Sequence, residues 1–171
     1  MSRKLSQGYL ERAAFHYLGR YSSSVKNLKR ILERKAMRRL EEGESLCADH
    51  YEWIDAVIVK CESYGYVSDA SYAKSKVRAM HASGKSKRGI IAALMAKGVS
   101  RDDIDLAIGS LEIEDGDDPD RVAAEKYARK RRFGPFRQKE ADADKQRKEA
   151  ASMARSGFSY DIIKQILGGN V

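Results

Sequence analysis

Gly65-Tyr66-Val67-Ser68-Asp69, Gly98-Val99-Ser100-Arg101-Asp102 and Gly157-Phe158-Ser159-Tyr160-Asp161 share one pattern: a glycine, an apolar residue, a serine, and an acid one or two positions on. Each has the chemistry of a joint between two helices. A glycine can take the left-handed conformation that ends a helix, the apolar residue buries itself at the turn, and the serine hydroxyl caps the helix that follows. Ser100 with Asp103 is a variant of the capping box, with Asp where Glu or Gln is usual. Three such joints at wide spacing predict a helical repeat.

Outward from the joints, the apolar spacing is helical throughout. Leu10, Ala13, Ala14, Tyr17 and Leu18 form one stripe, Val25, Leu28, Ile31 and Leu32 a second, and Trp53, Ile54, Val57, Ile58 and Cys61 a third. Tyr72, Ala73, Val77 and Met80 follow, then Ile90, Ile91, Leu94 and Met95, then Ile104, Ala107, Ile108 and Leu111. Beyond residue 112 come Val122, Ala123, Tyr127 and Ala128, the Lys145 to Met153 region, and Ile162, Ile163, Ile166 and Leu167. The natural reading is all-α, with nine helices in three groups of three. The groups are expected at 1–64, with a basic second helix, at 65–114, and at 115–171, which opens with an acidic linker. That linker, Glu112 to Asp120, ends in a helix start, with Asp118 as cap and Pro119 at the first helical position. Glu41 to Leu46 reads as a polar connection between the second and third helices.

Composition agrees. Only two prolines occur in 171 residues, the apolar set is 42% and charged residues are 34%, which is enough hydrophobicity to fold. No run approaches the roughly 18 apolar residues of a bilayer helix. The first residues lack an apolar signal-peptide core, so a cytoplasmic address is expected. The net charge of +8 points to polyanions or acidic protein surfaces as partners. It is concentrated at the two ends. Residues 1–48 carry eleven basic and five acidic side chains, and 115–171 thirteen and ten.

Three basic clusters are the candidate binding residues. The first is Lys26, Lys29, Arg30, Arg34, Lys35, Arg38 and Arg39, with Glu33 the one acid among them, and much of it lies away from the Leu28/Ile31/Leu32 face. The second is Lys126, Arg129, Lys130, Arg131 and Arg132, continuing to Arg137 and Lys139 around Phe133-Gly134-Pro135-Phe136. Those aromatics could stack on bases or pin a loop to a core. The third is Lys85, Lys87 and Arg88, at a helix start where a phosphate or carboxylate would suit. Solvated surface is the alternative for any such run.

Catalytic and metal readings do not hold. Gly84-Lys85-Ser86 resembles the end of a phosphate-binding loop, but Ala79 stands where its first glycine belongs and no strand precedes it. Cys47, His50, Cys61 and His81 fit no standard zinc spacing, and Cys61 falls on an apolar face. The acids from Asp115 to Asp120 lack the glycine a calcium loop needs at its sixth position, and the stretch contains Pro119. His16 and His81 show no nucleophile and acid arranged around them, so no catalytic triad can be argued. No enzyme activity, cofactor or metal is expected.

With these residues laid out, the chain resembles the RecX family, small cytoplasmic modulators of the bacterial RecA recombinase. Val57 to Ala73 is similar to the family segment in which a helix ends in Gly-Tyr-Leu and an Asp precedes Phe-Ala. Gly84 to Ile90, Leu94, Lys97-Gly98-Val99 and Ile104 are similar to its basic helix, its Lys-Gly-Ile turn and the next helix. Ser24, Leu28, Lys29, Arg30 and Leu32 match its Ser-x-x-Glu-Leu-x-x-x-Leu pattern, with Asn27 in place of the acid. Gly157-Phe158-Ser159 with Ile162 and Ile163 matches the last repeat. The chain departs from the pattern in the extended connection after Arg39, in Gly89 within a helix and in Cys61 at a usually aliphatic position. The resemblance implies three tandem three-helix repeats in an elongated, bent arrangement. It also implies a protein that binds the RecA nucleoprotein filament along its groove, suppresses ATPase and strand exchange, and binds single- or double-stranded DNA weakly. A stand-alone nucleic-acid-binding module of helical repeats, independent of RecA, is the alternative. A monomer is expected, since no exposed heptad seam is present.

Overall fold

The computed structural model describes residues 4–115 and 117–168, with the side chains of 112–115 outside the description. Among the described residues the regular structure is entirely helical. The helices are α1 (Gln7–Leu18), α2 (Val25–Met37), α3 (Ala48–Ser63), α4 (Asp69–Ala82), α5 (Lys87–Ala96), α6 (Arg101–Asp115), α7 (Pro119–Arg131), α8 (Ala143–Arg155) and α9 (Tyr160–Leu167), with one 3-10 turn at Gly134–Phe136. Side-chain caps start α1, α2, α7, α8 and α9, from Ser6, Ser24, Asp118, Asp142 and Ser159. α6 takes in the first acids of the Glu112 to Asp120 stretch, α7 begins with Pro119 behind the Asp118 cap, and Gly116 lies outside the described residues.

The three glycines of the repeated pattern all have positive φ, at 70°, 83° and 95° for Gly65, Gly98 and Gly157. The apolar residue immediately before each joint serine, Val67, Val99 and Phe158, is buried. The pattern thus works as a joint wherever it occurs.

By contacts the chain divides into two compact units. The first comprises residues up to Tyr72 together with Lys97–Ser100, and the second Ala73–Ala96 with the rest from Arg101. In the first, α1, α2 and α3 close around Leu10, Ala14, Leu28, Leu32, Ala36, Ile54, Val57, Ile58 and Cys61, with Val67 at the joint. Ala36 extends the α2 face by one turn beyond the stripe visible in the sequence. Burial pushes the Cys61 thiol above its ordinary range, which suits a small apolar core residue. In the second unit, α7, α8 and α9 pack around Ala123, Ala124, Met153, Phe158, Ile163 and Leu167.

One contact inside the first unit is repeated, residue type for residue type, inside the second. At the start of α2, Ser24 Oγ accepts from Asn27 N–H (3.2 Å) and donates to the carbonyl of Lys97 (2.6 Å), while Asp69 accepts the Val25 N–H (2.8 Å). At the start of α5, Ser86 Oγ accepts from Gly89 N–H (3.1 Å) and donates to the carbonyl of Ser156 (2.5 Å), while Asp120 accepts the Lys87 N–H (2.5 Å). In both cases the accepting carbonyl immediately precedes a joint glycine, Gly98 or Gly157. These glycines lie close against the helix start. A Cβ on Gly98 would stand 2.5 Å from Lys26 Cβ, and one on Gly157 would stand 2.7 Å from Ser86 Oγ. The middle helices of the first two groups, α2 and α5, are therefore bolted, at their first turn, to the joint ahead of the last helix of the next group.

This bolt tolerates no side chain at Gly98. Gly98→Ala combines a positive φ with a clash against Lys26 Cβ and is expected to cost about 1–3 kcal/mol of stability. Gly109→Ala, in open space on α6, is expected to be neutral or to gain up to about 1 kcal/mol. Urea denaturation followed by the helical circular dichroism signal measures both.

Candidate nucleic-acid interface

The first basic cluster divides by helix geometry. Lys26, Arg30, Arg34 and Arg38 succeed one another at intervals of four, so they lie on one stripe of α2 that runs on into its C-cap, Arg38, and all four are exposed. None has an ion-pair partner among the described residues. The stripe spans roughly 18 Å of helix axis at 1.5 Å per residue. Lys26 rests its aliphatic stem against Gly98 while its ammonium stays outside.

The other three cations of the cluster point elsewhere. Lys29 bridges to Asp55 of α3 at 2.5 Å. The Arg39 guanidinium stacks 4.0 Å from the centre of the Tyr9 ring. Arg39 and Lys35 line a hollow of about 350 Å³ together with Lys4, Arg12 and His16, a second cationic surface on the α1 side. Arg12 and His16 carried no signal in the sequence because they are isolated among the residues of α1.

The second cluster is more heavily engaged. Arg129 pairs with Glu125 at 2.8 Å and lies over the Phe136 ring. Arg132, itself in the left-handed conformation at the end of α7, donates to Gln138 at 3.1 Å. Arg137 is held bidentately by Glu149, whose carboxylate also accepts the Gly134 N–H at 3.0 Å. Phe133 stacks edge-on with Tyr127, so the Phe133-Gly134-Pro135-Phe136 loop is pinned to the core. Lys126, Lys130 and Arg131 are exposed, with Arg131 seated 4.9 Å above Tyr127.

The third cluster splits at the start of α5. The position suited to an external anion is taken by the chain's own Asp120, which accepts the Lys87 N–H. Burial pushes this carboxyl up and the Lys87 amide only partly offsets it. Lys85, on the other side of Ser86, instead faces a groove of about 620 Å³ with Lys130, Arg131 and Arg155. Arg155, at the end of α8, was not singled out in the sequence. Its one signal is its position two residues before the Gly157 joint.

Cys47 and Cys61 are free, the first exposed at the start of α3 beside His50 and the second in the core. Among the described residues no three His, Cys, Asp or Glu side chains are placed to hold a metal, and no helix is long and apolar enough to cross a membrane.

Residues 68–108 match the family model for RecX, second three-helix domain. The chain is 36% identical to regulatory protein RecX of Myxococcus xanthus over 98% of its length and 89% of that protein. It is 32% identical to regulatory protein RecX of Agrobacterium fabrum over 97% and 84%. The crystal structure of RecX from Lactobacillus salivarius superposes with a TM-score of 0.67 at 24% identity, covering 94% of each chain. A second crystal structure, of a regulatory protein RecX, gives 0.68 at 21% identity, over 94% of this chain and 70% of that one. The fold is the all-α architecture of three-helix repeats.

Removing Arg137 from the available cations has a pH signature. Burial drives the Glu149 carboxyl up, but Arg137 and the Gly134 amide outweigh it and hold it below the ordinary glutamate range. Its contribution is therefore present above the ordinary value and is lost as pH falls through the lower folded value. Glu149→Gln is expected to cost about 1–3 kcal/mol at neutral pH, where it leaves Arg137 without its carboxylate, and the deficit should shrink in acid. Thermal melts of both proteins from pH 7 downward measure the convergence.

Proposed function

The chain belongs to the RecX family of regulatory proteins, and on that footing we propose that it is a non-enzymatic regulator that binds the RecA nucleoprotein filament and inhibits its ATPase, strand exchange and recombination. The observation that carries the reading on this molecule is the stripe of Lys26, Arg30, Arg34 and Arg38, exposed along one face of α2 with no counter-charge among the described residues. A filament of protein on DNA is a polyanion with a periodic surface, and a line of partnerless cations on a rigid helix is complementary to it.

In this reading the repeats 1–64, 65–114 and 115–171 each supply a modest contact. The contacts add because they are linked, so affinity for the filament exceeds that of any one of them. Arg30, Arg34 and Arg38 supply the first repeat's contact. Lys85 supplies the second repeat's, and Lys130 and Arg131 the third's. Lys29, Arg39 and Arg129, engaged with Asp55, Tyr9 and Glu125, act mainly in holding the helices that present the others. The protein works as a monomer in the cytoplasm and binds bare DNA only weakly.

The test is the DNA-dependent ATPase of the host RecA titrated with this protein and with the triple charge reversal Arg30→Glu, Arg34→Glu, Arg38→Glu. These positions are exposed, so the fold is expected to survive. The wild-type chain should suppress the ATPase, and the variant should need at least tenfold more protein for the same effect. Equal inhibition by the two would count against the α2 stripe.

A further inference from the structure

Two hollows in the first unit share a wall. One, of about 350 Å³, lies between α1 and α2, and its ionisable lining is cationic: Lys4, Arg12, His16, Lys35 and Arg39, with no acid among them. The other, of about 680 Å³, lies beside the start of α3. Leu5, Leu40, His50 and Trp53 form its apolar and aromatic side, and Glu41 and Glu44 stand at its edge. Lys4 and Arg39 line both hollows, so the two are continuous.

The walls are preset by local contacts. Tyr9, Arg12 and His16 follow one another at intervals of three and four, which puts them on one face of α1. The Arg39 guanidinium lies 4.0 Å from the centre of the Tyr9 ring, which fixes the residue that the hollows share. Glu44 accepts the Glu41 N–H at 2.9 Å and so folds the connection after α2 into a turn. His50 Nδ1 accepts the Cys47 N–H at 3.2 Å, and the His50 ring meets Trp53 edge-on with centres 5.3 Å apart. Lys4, Arg12, His16 and Lys35 have no ion-pair partner among the described residues, although carboxylates stand one hollow away.

We infer that the paired hollows are a binding site for a free nucleoside polyphosphate, with its phosphates among Lys4, Arg12, His16 and Lys35 and its base against Trp53. The polarity of the site selects this class. Clustered cations with no acid among them suit several anionic groups close together. The neighbouring hollow repels anions through Glu41 and Glu44, yet offers an aromatic wall for a flat ring and carboxylate oxygens for its exocyclic amino group. A ligand that fits both is anionic at one end and a hydrogen-bond-donating planar ring at the other. A continuous strand fits less well, because its next phosphates would have to pass the two glutamates. Each hollow is of the size that small-molecule sites have. The site lies apart from the Lys26/Arg30/Arg34/Arg38 stripe, and the inference does not rest on the functional reading above.

Trp53 is the single tryptophan of the chain and lines the base end, so it serves as the reporter. The experiment titrates the full-length protein with ATP, GTP, adenosine, inorganic tripolyphosphate and an oligothymidylate. Fluorescence is excited at the red edge of the tryptophan band, where the nucleotides are transparent, and calorimetry follows ligands that leave the fluorescence unchanged. At least one of the two nucleotides is expected to quench Trp53 saturably. Adenosine and tripolyphosphate should each bind about a hundredfold more weakly than that nucleotide, since each uses one half of a linked pair of contacts. Arg12→Gln/Lys35→Gln, checked for folding by circular dichroism, should bind the nucleotide about tenfold more weakly and leave the weak binding of adenosine unchanged. A wild-type chain that binds neither ATP nor GTP, or a folded double variant with wild-type affinity for them, would overturn the inference. Tripolyphosphate binding as tightly as the nucleotides would reduce the site to an anion patch, and displacement of the nucleotide by equimolar oligothymidylate would reassign it to a strand. Either result also overturns it.

Discussion

A serine hydroxyl that caps its own helix and at the same time donates to a carbonyl some seventy residues away is the contact on which this molecule is organised. Ser24 does this to Lys97 and Ser86 does it to Ser156. In each case a distant aspartate, Asp69 or Asp120, accepts the next amide. A helix N-terminus leaves its first amides without intrahelical partners, and here two of them are satisfied by one local and one distant oxygen. Helices of about a dozen residues are marginal alone. The bolt lets each one borrow order from the following group. It also demands a glycine beside it, because Gly98 and Gly157 leave no room for a Cβ.

The same contact governs the charge distribution. Because Asp120 fills the start of α5, the anion-binding capacity of that helix end is used internally, and the cations nearby must find their counter-charge elsewhere. Arg129 and Arg137 find it in Glu125 and Glu149. Lys85, Lys130 and Arg155 do not find it among the described residues. On α2 a comparable sorting occurs, with Lys29 satisfied by Asp55 and the Lys26/Arg30/Arg34/Arg38 stripe left facing out. A net charge of +8 thus resolves into specific faces whose positive potential is not cancelled at close range.

The joints and the helical stripes were legible in the sequence because both are local signals: a turn chemistry within five residues and a period of 3.6. Val67, Val99 and Phe158 sit buried behind their glycines as that chemistry requires. The bolts were not legible. Asp69 to Val25 and Asp120 to Lys87 join residues 44 and 33 positions apart, and no periodicity marks one aspartate among many as a distant cap. The same holds for Glu149, which reads as one more charge on an exposed helix until Arg137 and Gly134 are seen to close on it. A glycine at position 89 also gains a reason. A Cβ there would lie 3.1 Å from Ser86 Oγ, which caps the Gly89 amide. Among the basic clusters, composition located the charge but could not separate Lys29 from Arg30, because partnership depends on which neighbour each turn of the helix meets.

The proposed function requires that these unneutralised faces recognise a filament and not merely a polyanion. The most direct measurement is the binding of the full-length chain, at one fixed moderate salt concentration, to RecA assembled on single-stranded DNA and to the same DNA alone. The account predicts saturation of the filament at protein concentrations that leave the bare strand free. Equal occupancy of filament and bare strand would contradict it and would leave a generic basic binder in the same fold.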